Sequence, residues 1–114
     1  MQVVTKKVTY EEVSHVLLQL GVPAHRIGFE QLCFAIPRFA EDARQSLNGE
    51  LYPYIAKTLN CSDWRAVEHS IRNTITFSWV HRDPELWSQY FLGYENAPSN
   101  KQFIATIAEF LKCK

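Results

Sequence analysis

Between positions 65 and 76 the sequence sets Arg65, Glu68, His69, Arg72 and Thr76 three or four residues apart, with Asn73 at the edge of the group. On an α-helix that spacing gathers the side chains onto one face. Their types suit hydrogen bonding to nucleic-acid bases. Arginine pairs with guanine O6 and N7, asparagine with adenine, and glutamate accepts from cytosine N4. Across the same helix, Trp64, Val67, Ile71, Thr74, Ile75 and Ser78 share a second face that should pack inward. A solvated helix face carrying a few charges has the same pattern, so the residues alone leave both readings open.

Other chemistries find less support. His15, His25, His69 and His81 show no metal-ligand spacing with one another or with Cys33, Cys61 and Cys113. Three cysteines without a C-x-x-C pair read as free thiols. No local motif supports a Cys–His nucleophile, no glycine-rich phosphate loop is present, and Glu41 with Asp42 reads as an exposed helical face. The expectation is a protein that is not an enzyme and takes no metal or cofactor. Twelve basic side chains balance twelve acidic ones, so any grip on DNA must come from where charges sit. With 46% hydrophobic residues in 114, the chain reads as one folded domain. It lacks an apolar run of the ~20 residues that span a bilayer and lacks a secretion signal, which predicts a cytoplasmic, nucleoid-associated protein.

The positioning elements are all helical; no stretch alternates with period two. Residues 1–8 read as a flexible leader and 9–114 as the domain. Thr9 and Glu12 form a capping box, Tyr10, Val13, Leu17 and Leu20 follow at helical spacing, and Gly21 ends the helix. Val22 to Gly28 reads as a connection. A second helix starts near Phe29, and Pro37 must kink or interrupt it. Asn48 and Gly49 mark a break. Leu51, Ile55 and Leu59 stripe a short helix, and Ser62 or Asp63 caps a long one running to about His81. Asp83-Pro84-Glu85 opens another that ends near Gly93. Ser99 and Gln102 box the last, striped by Phe103, Ile104, Ile107, Ala108 and Leu111.

Leu51 to Trp79 thus holds a short helix, a turn of about four residues and an amphipathic helix, the layout of a helix-turn-helix. Ala56 permits a close crossing, and Asn60 tolerates the left-handed backbone such turns need. An ordinary αα-hairpin in a bundle shares this layout.

Several separated motifs carry a family resemblance: GVPAH (21–25), LYPYIAK (51–57), VEHSIRNTI (67–75) with Trp79, LGY (92–94) and PSNKQFIA (98–105). In this order, over about Thr9 to Lys112, the chain resembles the C-terminal effector domain of the stage-zero sporulation regulator, the master response regulator of endospore formation. The resemblance implies a compact six-helix, all-α DNA-binding domain that reads a short asymmetric TGNCGAA-like box, often as head-to-tail pairs. The family's recognition helix carries V-E-R-x-x-R-H. Glu68 and Arg72 match its glutamate and second arginine, which implies a base reader and a base or phosphate contact. His69 stands where the family has its first arginine, and Asn73 where it has histidine. The turn is one residue longer, so Arg65 only approximately replaces an arginine at the helix start. The stretch before Leu51 is about two residues shorter, and Pro37 falls where the family has a helix former.

The site expected is therefore Arg65, Glu68, His69, Arg72, Asn73 and Thr76 in the major groove, with Lys57 and Arg82 on phosphates. Double-stranded DNA is the expected partner; RNA polymerase or a full-length homologous regulator are further ones. The regulator proper carries a receiver module ahead of this domain, and a chain beginning just before the effector part fits either a fragment or a stand-alone member. Zero net charge and the substituted arginine leave a second reading open: an interaction module of the same fold that modulates a partner without reading DNA. An exposed apolar patch around Trp64, Phe77 or Trp87 would favour it.

Overall fold

The computed structural model describes residues 6–114. Six α-helices follow one another: α1 (Tyr10–Gln19), α2 (Ile27–Glu41), α3 (Tyr52–Thr58), α4 (Trp64–Val80), α5 (Pro84–Phe91) and α6 (Asn100–Lys112), with no strand among the described residues. The first five residues of the expected leader lie outside the described residues. Of the other three, Lys6 pairs with Glu12, and Val8 is buried.

The caps foreseen from sequence are made. Thr9 and Glu12 satisfy each other's backbone at the start of α1, and Ser99 and Gln102 do so at α6. Asp63 accepts from the Ala66 amide at α4, and Asp83 accepts from Glu85 and Leu86 at α5. Each such cap is worth about 1 kcal/mol.

Helix α2 runs through the middle, packed against α1, α4 and α6. Nine of its fifteen residues are buried, so it is enclosed on several sides. Three expectations change here. Gly28 belongs to the first turn of α2, not to the preceding connection, and it is buried against α4. Pro37 does not interrupt α2, which continues to Glu41; Ile36, Phe39 and Ala40 are all buried around it, and that packing outweighs one lost amide bond. Asn48 and Gly49 are no break but part of a π-helical turn, Leu47–Leu51, that feeds straight into α3. The Ser46 hydroxyl accepts from the Gly49 amide, and Glu50 Oε1 accepts from the Ser46 amide, so local side-chain bonds wind a segment that composition marks as a turn.

Cys33 sits fully buried on α2, and burial pushes its thiol up from about 9 to about 12. Burial likewise raises the Tyr52 phenol on α3, with the Asn100 hydrogen bond opposing it and the neighbouring Glu68 carboxylate adding to it. Both groups stay neutral in the fold and ionise sooner in the unfolded chain. The Cys33 contribution is complete below about pH 9 and is lost as pH rises through 12, and the Tyr52 contribution is lost above the ordinary tyrosine range. The thermal midpoint is thus expected to fall above pH 9, and the fall should be shallower in Cys33→Ala. A midpoint flat to pH 11 contradicts the burial of both groups.

Candidate nucleic-acid interface

Helices α3 and α4 meet through the turn Leu59–Asp63. Asn60 takes φ 57°, the left-handed backbone expected of it, and the Cys61 amide donates back to the Ala56 carbonyl at 2.8 Å. This is a Schellman-type closure, and it fixes the angle at which α4 leaves. Ala56 is buried at the crossing, and the Tyr52 and Trp64 rings stack with centroids 6.4 Å apart and planes 5° from parallel.

On α4, Val67, Ile71, Thr74, Ile75 and Ser78 are buried, as their spacing predicts. Trp64 is only half-buried, because it caps the α3 side of the hairpin through Tyr52 instead of entering the core. Arg65, His69, Arg72, Asn73 and Thr76 are exposed on the other side, while Glu68 is half-buried. Arg72 is bracketed. Its Nη2 donates to His69 Nδ1 at 3.0 Å, and its Nη1 lies 3.4 Å from Glu68 Oε1. Since guanidinium only donates, His69 Nδ1 is the acceptor in that contact.

Lys57 is exposed near the end of α3. Arg82 lies beyond the far end of α4, about 25 Å along the helix from Arg65 at 1.5 Å per residue. It is partly engaged already: its guanidinium covers the Trp79 ring at 3.5 Å and donates to the Trp79 carbonyl at 2.7 Å. Cations also cover the two exposed-side aromatic rings, Arg65 over Trp64 at 4.9 Å and Arg26 over Phe77 at 4.0 Å. Trp87 is buried. The three aromatics named as a possible apolar patch therefore do not form one.

Sequence spacing missed the residues that seat α4 from behind. Asn100, at the first position of α6, donates from Nδ2 to the Glu68 backbone carbonyl and to the Tyr52 hydroxyl, both at 3.0 Å. Gln31, buried on α2, donates to Cys61 Sγ at 3.6 Å and so ties the turn to the central helix. These partners lie 30 to 48 residues apart, beyond any local pattern. The PSN run and the Tyr of LYPYIAK were legible only as motif letters.

Among the described residues no group of three or more His, Cys, Asp and Glu side chains is placed to hold a metal ion, and no helix is long and apolar enough to cross a membrane. In comparison with known proteins, the family model described as "Sporulation initiation factor Spo0A C terminal" matches residues 13–111, from within α1 to the last turn of α6.

Proposed function

The chain belongs to the Spo0A C-terminal family of sporulation initiation factors, DNA-binding effector domains of transcription regulation and not an enzyme family, and from that premise we propose that it reads DNA sequence-specifically through α4. The observation that carries this reading is the outer face of α4, where Arg65, His69 and Arg72 stand exposed in the N-terminal half that a recognition helix presents to the major groove, with Asn73 and Thr76 exposed just beyond it. Glu68 stands on the same face, behind Arg72. Lys57 and Arg82 flank it as phosphate contacts, which position without reading. The cations over Trp64 and Phe77 keep the surface polar and favour DNA over an apolar protein partner. Head-to-tail pairing on the box, contact with RNA polymerase or a full-length regulator, and a place at the nucleoid belong to the same reading.

A fluorescence-anisotropy titration with duplex carrying a TGNCGAA-like box, against scrambled duplex, tests it. Tighter binding to the box is expected; equal affinity, or no binding at low salt, sinks the proposal. His69 in place of an arginine removes a bidentate guanine contact, so the preferred base at that position should differ from the family's.

Arg72→Ala should weaken binding to the box by ~1–3 kcal/mol. Its side chain is 57% exposed, so the thermal midpoint should stay within about 2 °C of the parent. A large drop in midpoint would show that the side chain supports the fold instead.

A further inference from the structure

The two oxygens of Glu68 have different surroundings. Oε1 faces the Arg72 guanidinium at 3.4 Å, while Oε2 is buried and meets no side-chain donor. The backbone of the same residue is held from behind, since the Asn100 amide donates to the Glu68 carbonyl and to the Tyr52 hydroxyl. Tyr52 is itself 2% exposed and stacked on Trp64, so this anchor belongs to the rigid crossing of α3, α4 and α6.

A carboxylate that accepts from cytosine N4 must present a free oxygen to the groove. Here one oxygen is buried and the other faces the Arg72 guanidinium 3.4 Å away, so turning it to a base competes with that pairing. Rotating Glu68 outward would release Arg72 from its partner. With Arg72 57% exposed, the ion pair is screened by solvent on that side and adds little to folding stability, so its effect falls on where the guanidinium sits. Four rotatable bonds separate that guanidinium from the helix, and holding it in place before binding removes part of the ordering cost of a contact.

We propose that Glu68 is a positioning residue for Arg72 and not a base reader, with the Tyr52–Asn100 pair fixing its backbone and His69 Nδ1 bracketing the guanidinium from the other side. This rests on the DNA-reading function above, but its first test needs no DNA. In the free protein, the Arg72 Nε–H resonance should show the heteronuclear NOE of an ordered side chain, and Glu68→Ala should make it mobile. Equal mobility in both overturns the proposal.

The second test is a double-mutant cycle on the box measured by anisotropy, with thermal midpoints alongside. Glu68→Ala should lose about tenfold in affinity in the parent background and less than about twofold in Arg72→Ala. Glu68→Gln, which keeps an acceptor for Arg72 and the packing of the side chain, should recover most of the loss. An undiminished loss in the Arg72→Ala background, or relaxed selectivity confined to one cytosine position, overturns the positioning role and makes Glu68 a reader. Failure of the parent to prefer the box removes the DNA function, while the NOE measurement still decides the link between Glu68 and Arg72.

Discussion

Trp87→Ala is expected to cost about 3–5 kcal/mol, the range for emptying a buried aromatic site. Trp87 is 1% exposed and lies among Trp79, Phe91 and Phe103 at centroid distances of 5.5 to 5.8 Å. Its Nε1–H donates to the Leu20 carbonyl at 2.9 Å, satisfying the cap of a helix 67 residues earlier in the chain. Alanine removes the ring, the cavity stays partly open, and a buried carbonyl loses its donor. Domains of this size hold about 5–15 kcal/mol in all, so a fifth or more of the stability is at stake. At roughly 4 °C per kcal/mol the thermal midpoint should fall by about 12–20 °C. Trp87→Phe separates the contributions: it refills much of the site and leaves the Leu20 carbonyl unpaired, for a loss of about 1–3 kcal/mol. A fall under 4 °C for Trp87→Ala would show that the α5 face is not the core described above.

Gly28→Ala gives a test of sign. Inside a helix, alanine normally stabilises over glycine by about 1 kcal/mol. At Gly28 a Cβ would stand 2.8 Å from the Ser70 carbonyl oxygen and 2.7 Å from Thr74 Cβ, with Thr74 Oγ1 closer still. The Thr74 side chain can turn, but the Ser70 carbonyl is backbone of α4 and cannot yield without moving that helix. Overpacking of this kind costs about 1–3 kcal/mol or more, which exceeds the propensity gain. The expected outcome is a net loss for alanine and a larger one for valine. Because the helix displaced is α4, affinity for the box should fall with stability. A midpoint at or above the parent's for Gly28→Ala would mean that α2 and α4 do not cross this closely.

Local chemistry was readable in the sequence; encounters across the fold were not. Thr9 with Glu12, Ser99 with Gln102, Asp63 and Asp83 act on amides two or three residues away, so their spacing identifies them. Asn60 is legible for the same reason, as a residue type tolerant of the backbone its turn requires. Gly28 was misplaced because glycine marks loops as readily as close crossings, and only α4 reveals which it is. Pro37 and the Asn48-Gly49 pair break helices in isolation, but buried neighbours and the Ser46 and Glu50 side chains hold these segments wound. On the candidate interface, spacing and kinship identified which residues share the outer face. The bracketing of Arg72 and the burial of one Glu68 oxygen depend on how side chains settle against α3 and α6.

The central placement of α2 bears on how such a domain can respond to anything that touches it. With α1, α4 and α6 all resting on one enclosed helix, no single layer can peel away without uncovering the middle. Amide exchange in α2 and in the inner face of α4 should then report one shared opening event. A body of that kind moves as a solid piece, so the outer face of α4 keeps its place relative to the other helices.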